Sequence, residues 1–265
     1  MITEYHRPDT IEQALNLIAR LEPETYPLAG GSSVNRPSKR EFAVVDLQNL
    51  SLSSIDERGI FLDLGATLTL QLLLDFLLEG KLVNREITVD LVRAIKHEAT
   101  FNLRQVATIA GSIMAADGRS PLTTTLLALD ASLTIIAADG SSEEIKLGNF
   151  LPFRRKLAAK RLITKIEIPL NVNLAYEYTA RSPADLPIVC AALCCWQTGR
   201  TRMALGGYGN APIMVFDGTE QGGLKEAAVD AFSQAQDEWA SSDYRKETAG
   251  ILAERCAARI AVNQS

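Results

Sequence analysis

Two short, uncharged segments containing glycine constrain this chain more than any other feature. The first is Leu28-Ala29-Gly30-Gly31-Ser32-Ser33-Val34 and the second is Ala107-Thr108-Ile109-Ala110-Gly111-Ser112. Each follows an apolar run that reads as a strand, and each offers small residues and hydroxyls in place of charge. Glycine removes the Cβ and tolerates φ > 0, so backbone N–H groups in such a loop can approach an anion closely. Two loops of this kind are suited to grip a pyrophosphate without a lysine. They point to a dinucleotide-like cofactor rather than to a catalytic triad. In this reading residues 29–34 and 108–112 supply N–H donors, and Ser32, Ser33, Thr108 and Ser112 add hydroxyls. Neither loop is a GxGxxG fingerprint or a GK[ST] phosphate loop.

The remaining chemistry-bearing residues are sparse. Cys190, Cys194 and Cys195 lie in an apolar run ending at Trp196, and Cys256 stands alone. No CxxC pair matches zinc or iron–sulfur spacing, and alternation puts Cys195 on the opposite strand face from Cys190 and Cys194. These read as core cysteines, so no metal site is assigned. His6 and His97 are the two histidines, far apart in sequence. Histidine-centred triads are therefore disfavoured and no catalytic residue is assigned. A formal net charge of -5 argues against a nucleic-acid surface. Arg154-Arg155-Lys156 with Lys160-Arg161 reads as a solvated loop. No stretch is long and apolar enough to span a bilayer, and Met1 to His6 lacks a secretory pattern, which predicts a cytoplasmic protein.

Hydrophobic periodicity predicts an α+β chain of three subdomains, roughly 1–57, 58–170 and 171–265. A strand at Glu4-Tyr5-His6 leads to a helix capped by Asp9 or Thr10, with Ile11, Ala14, Leu15, Ile18 and Leu21 at helical spacing. With the strand at Phe42 to Leu47 this makes a βαββ unit. Ile60 to Ala66 alternates as a strand, and Thr67 or Thr69 caps the next helix. Asp139-Gly140 turns a hairpin. From about Asn171 antiparallel strands precede two closing helices. Gly206-Gly207-Tyr208-Gly209 mimics a nucleotide loop, but Pro212 follows in place of a helix, so it reads as a strand-end turn. Both cofactor loops fall in the first two subdomains, which places the expected cofactor in the cleft between them.

At these residues the chain resembles the FAD-binding, or medium, subunit of molybdenum hydroxylases, the xanthine dehydrogenase and aerobic carbon monoxide dehydrogenase group. The resemblance rests on Tyr5-His6-Arg7-Pro8, Glu12-Gln13-Ala14-Leu15, Ala29 to Ser32, Leu103 to Ser112, and Leu126 to Ala131. Arg181 with Asp185, Ala204 to Gly207, and Tyr244-Arg245 extend it. It implies the PCMH-type FAD-binding fold: two α+β subdomains plus a C-terminal subdomain of antiparallel strands and helices. It also implies FAD as cofactor, a large molybdopterin-binding subunit and a small 2Fe–2S subunit as partners, and electrons passing through FAD to NAD or another acceptor. The family's TIGGN is Thr108-Ile109-Ala110-Gly111-Ser112 here. Ala110 adds a Cβ that must avoid φ > 0. Pro121 falls where the family often has an acid, so Asp117 and Ser120 are the candidates to replace it. Arg104 is either an anchor or a phosphate ligand. Two other readings stay open: a flavin-free scaffold that organises partner subunits, and a stand-alone flavoenzyme.

Overall fold

The computed structural model describes residues 1–32, 41–80, 82, 86–219 and 222–264. They group into two compact units. The first gathers Met1–Leu73, Phe101–Ala115 and Ser132–Glu167, and the second gathers Leu74–Thr100, Ala116–Ala131 and Ile168–Ser265.

In the first unit, β1 (Ile2–His6), α1 (Ile11–Ala19), β2 (Thr25–Leu28) and β3 (Phe42–Asp46) form the expected βαββ arrangement. The three strands make a parallel sheet in the order β1-β3-β2. Thr10 caps α1, its hydroxyl accepting from Gln13 N–H at 3.2 Å, while Gln13 Oε1 reaches back to Asp9 N–H at 3.2 Å. This is a capping box displaced by one residue on the return bond. Ala14, Leu15 and Ile18 pack against Val45, Leu47 and Leu50. Leu21, expected on the same helical face, is 80% exposed because α1 ends at Ala19. The Tyr5–Pro8 signature also finds a cause. The Tyr5 hydroxyl donates to buried Asp46, and Arg7 donates to Gln48 and Asn49, so the first strand is tied to the end of β3.

The chain continues through β4 (Ile55–Arg58), β5 (Phe61–Gly65), α2 (Leu70–Leu78), α3 (Thr88–Glu98), α4 (Phe101–Arg104), α5 (Ile109–Ala115) and α6 (Pro121–Ala128). After these come β6 (Ser132–Ala137), β7 (Ser142–Lys146), α7 (Leu147–Phe150), α8 (Arg154–Leu157) and β8 (Arg161–Pro169). A five-stranded sheet runs in the order β4-β5-β8-β6-β7. The expected boundary at 57/58 falls inside β4. The basic run forms the short α8 and its exit. Arg155, Lys156 and Lys160 are exposed, and Arg161 pairs with Glu143 at 3.0 Å.

In the second unit, β9 (Val172–Thr179), β10 (Val189–Trp196), β11 (Thr201–Gly206) and β12 (Ile213–Gly218) form an antiparallel sheet in the order β12-β11-β10-β9. One face carries Ala191, Leu193, Cys195, Met203 and Leu205. It packs on α9 (Leu224–Ala231) and α10 (Ser242–Gln264) through Leu224, Ala228, Leu252 and Cys256. Cys190 lies on the other face and donates to Thr124 of α6 at 3.6 Å. All four cysteines are free and buried. Burial pushes the Cys190 thiol up to about 12, which leaves it unreactive at neutral pH.

One ionic network ties α3, β9 and α10 together. Asp90, buried on α3, accepts from both terminal nitrogens of Arg259 at 3.0 and 2.8 Å and from Arg93 at 3.0 Å. Both arginines also donate to the Tyr176 carbonyl, at 2.9 Å from Arg93 and 3.1 Å from Arg259. Glu177 supplies the second acid, 2.8 Å from Arg259. Removing Asp90 leaves two guanidiniums facing each other with one acid between them. We expect Asp90→Ala to lower unfolding stability by about 3 kcal/mol, the low end for a broken buried pair because both arginines remain a third exposed. Urea denaturation of the full chain measures it.

Candidate functional site

The two glycine segments meet inside the first unit. β2 delivers the first of them: Leu28 pairs with Asp46, and the Leu28 carbonyl accepts from Leu47 N–H at 2.9 Å. The chain then turns through Ala29 and Gly30 to Gly31, whose φ of 70° is left-handed. Gly30 lies directly against the backbone that precedes the second segment. A Cβ placed on it would sit 1.7 Å from the Val106 carbonyl oxygen and 3.3 Å from Ala107 Cα. Only glycine allows this approach. Ser33 and Val34, expected to complete the loop, lie outside the described residues.

The second segment is not a loop leaving a strand. The helical turn α4 precedes it, and its latter half is the start of α5. Its backbone is laced to residues 66–70, between β5 and α2. Ala107 O accepts from Leu70 N–H at 2.9 Å, Ile109 N–H donates to Leu68 O at 2.9 Å, and Ala110 N–H donates to Ala66 O at 3.3 Å. Thr69 and Thr108 form an antiparallel bridge. Thr108 is buried, and its hydroxyl accepts from Gly111 N–H at 3.2 Å, while its carbonyl accepts from Ser112 N–H at 2.8 Å. The N–H groups of residues 109–112 thus all donate within the protein. Each of these four N–H groups therefore already has an acceptor in the protein. Ala110 is helical and is absent from the left-handed residues, so its Cβ carries no strain.

Asp117 and Ser120 belong to the second unit. Asp117 is exposed and accepts from Arg119 N–H at 2.8 Å. Ser120 is buried and caps α6, accepting from Thr123 N–H at 3.2 Å and donating to Glu98 at 2.8 Å. Its hydroxyl is committed to the helix. Pro121 occupies the first position of α6, where its missing N–H costs nothing. Arg104 donates to Gln71 at 3.1 Å, which favours the anchor reading over the phosphate ligand. His6 pairs with Glu4 at 2.8 Å, and His97 sits edge-on to Tyr178 with ring centroids 3.9 Å apart. Burial, then Arg93, holds His97 below the usual imidazole range. The two histidines lie in different units.

Sequence reasoning missed the partners that shape the site. Val106 is the carbonyl on which Gly30 rests, and Leu68 and Ala66 supply carbonyls that fasten the second segment. The proposed cap at Thr69 was the one available signal for that strap, and it holds: Thr69 accepts from Leu72 N–H at 3.2 Å. What the joined segments present outward is small and neutral. Ser32 and Gly111 are exposed, and Gly31 and Ser112 are half-buried. This surface fits a phosphate-bearing cofactor held by hydroxyls and close backbone approach. Among the described residues no group of acids, cysteines and histidines is placed to hold a metal, and no helix is long and apolar enough to cross a membrane.

Over 260 residues the chain is 31% identical to the "Uncharacterized protein YgfM" of Escherichia coli (strain K12), covering 95% of this chain and 94% of that protein. It is 25% identical over 285 residues to the carbon monoxide dehydrogenase medium chain of Afipia carboxidovorans, covering 97% and 96% of the two chains. The crystal structure of quinoline 2-oxidoreductase from Pseudomonas putida 86 shares the fold, with a TM-score of 0.80 at 23% identity over 98% of this chain and 97% of that one. Residues 1–171 match the family described as the FAD binding domain in molybdopterin dehydrogenase, so this chain belongs to that oxidoreductase family and its cofactor is FAD.

Proposed function

We propose that this chain is the FAD-binding subunit of a molybdenum hydroxylase complex, passing electrons from the iron–sulfur clusters of a partner subunit through FAD to an acceptor such as NAD. The observation that carries the reading is the seating of Gly30 on Val106, which joins the two segments that sequence reasoning assigned to the cofactor. Bound FAD supplies the redox chemistry, and the protein's task is to hold and orient it. Ala29 to Ser32 would hold it from the first segment. From the second, the Ser112 hydroxyl and the Cβ-free surface of Gly111 would do so, because the neighbouring N–H groups are already used. The buried lacing of residues 107–110 to residues 66–70 fixes that second segment in advance.

The name of the medium-chain relative supports a large and a small partner, and the family resemblance implies that these are a molybdopterin-binding subunit and a 2Fe–2S subunit. The four free, buried thiols fit a reducing compartment, in keeping with a cytoplasmic protein. The three sheets support a three-subdomain division of roughly 1–57, 58–170 and 171–265, while residues 74–100 and 116–131 of the central stretch group with the third. The flavin-free scaffold loses its motive at Ala110, which helical backbone accommodates without strain.

Two variants test the reading. The purified full chain should retain flavin absorbance through desalting after FAD is added. Gly30→Ala should lose it, because the new Cβ forces the segments apart, while far-UV circular dichroism stays close to that of the parent. Ser112→Ala removes one hydroxyl from a half-buried position. It should weaken FAD binding by about tenfold, the effect of one lost hydrogen bond to a charged oxygen. A folded parent chain with a clean protein spectrum, alone and with its partners co-expressed, would overturn the proposal.

A further inference from the structure

The basic run between β7 and β8 is built as a platform rather than as a loose loop. Leu147, Phe150 and Leu151 are buried and anchor its entry. Ala158 N–H donates to Arg154 O at 2.9 Å, Ala159 N–H to Lys156 O at 3.3 Å and Arg161 N–H to Ala158 O at 3.2 Å, so the turn closes on itself. Lys160 takes a left-handed φ of 57°, a conformation that glycine or asparagine adopts more easily. Residues 154–161 carry five cations and no acid, in a chain whose formal net charge is -5. Arg161 is paired with Glu143, whereas Arg155, Lys156 and Lys160 are exposed and form no ion pair among the described residues. Beside them in the chain, Phe153 is 62% exposed. The ring and the three cations are thus held in place by the fold without being covered by it.

We propose that Phe153, Arg155, Lys156 and Lys160 form the docking face for a partner subunit, whose complementary surface is acidic around an apolar recess that takes the ring. The proposal rests on the reading of this chain as one subunit of a complex. Charge complementarity selects the partner: the patch is positive on a chain that is negative overall, so it steers acidic surface towards itself. Composition agrees, because aromatic residues and arginine are enriched in protein interfaces and among the residues that carry their affinity. The platform is ordered before it binds, so docking has few further groups to fix. A lipid surface fits less well. The helical turn α8 is four residues long, whereas a helix lying in a membrane interface presents an extended apolar face.

The test measures assembly, with flavin retention as a separate readout. Dissociation constants between the purified full chain and its co-expressed partner subunits are compared for the parent, Arg155→Glu and Phe153→Ala, at about 0.05 M and about 0.5 M salt. Arg255→Glu makes the same charge change at an exposed position of α10. Arg155→Glu should weaken assembly by about tenfold at low salt and much less at high salt, because added ions screen exposed charges. Phe153→Ala should weaken it by about tenfold at both, because its contribution is apolar. Arg255→Glu should match the parent. FAD retention and far-UV circular dichroism should stay at parent values throughout, since none of these residues belongs to the cofactor segments. A parent that assembles while both patch variants assemble equally well overturns the docking face and leaves the subunit reading standing. Equal weakening by Arg255→Glu overturns it too, as an effect of net charge alone. Salt-sensitive self-association of the purified parent, lost in Arg155→Glu while assembly is unmoved, would assign the patch to a second copy and overturn the proposal. Binding to phosphatidylglycerol vesicles with the same pattern would assign it to lipid and overturn it likewise. A parent that binds neither partner subunit overturns the subunit reading and the docking face together.

Discussion

The close approach of Gly30 to the Val106 carbonyl is the contact on which the first unit's site depends. Two backbone segments can lie this near each other only where one lacks a Cβ, and no rotamer change offers a substitute. The consequences spread outward. The first segment is fixed at its root by Leu28 bonded to Leu47. The second is fixed by its bonds to residues 66–70, and that strap is itself close-packed, since a Cβ on Gly65 would fall 2.2 Å from the Leu52 carbonyl. Buried backbone groups must find partners, and here they find them in one another. The described parts of the second segment are thus bonded within the protein itself, and prior ordering of this kind lowers the cost of binding a ligand.

Much of this was legible where a local rule dominates. The Thr10 cap, the buried face of α1, the Asp139-Gly140 turn and the alternating cysteine strand each follow from residue type and period. Leu21 failed because periodicity says which face is apolar and not where the helix stops. The second segment failed for a different reason. Ala107 to Ala110 is a short apolar run, and over so few residues a strand and the entry to a buried helix look alike. Its hydrogen bonds run to residues far away in sequence, so nothing local could reveal that its N–H groups are used. The glycines carried a similar ambiguity. Sequence shows that a Cβ is unwelcome and does not show whether a ligand or another strand of protein forbids it.

Gly206 to Gly209 illustrates the second case. By eye it is a nucleotide loop, and in the structure its Gly207 and Gly209 clamp Gly118 by a pair of backbone hydrogen bonds. The device is the one used at Gly30: two irregular segments, each unable to continue a sheet, are joined by removing side chains at the crossing. A glycine-rich turn that grips protein backbone rigidifies what it touches, and here it touches the turn bearing Asp117 and Arg119.

Charge is used differently in the two places. The joined glycine segments of the first unit show no ionisable side chain among their described residues, whereas the second unit relies on arginines that collect backbone carbonyls. Arg245, fully buried, donates to Ala235 O at 2.9 Å and Ala240 O at 3.1 Å and takes both oxygens of Asp237 at 2.8 and 3.0 Å. Arg202 reaches Leu127 O at 3.2 Å near the end of α6, and Arg119 reaches Leu186 and Pro187. A guanidinium suits this work because its fork spans several acceptors and it never loses its charge. The charge these arginines bring to the carbonyls therefore does not change with pH. Glu98 is built the other way, as a carboxyl whose burial opposes its ionised form while its two donors, Ser120 and Leu122, favour it.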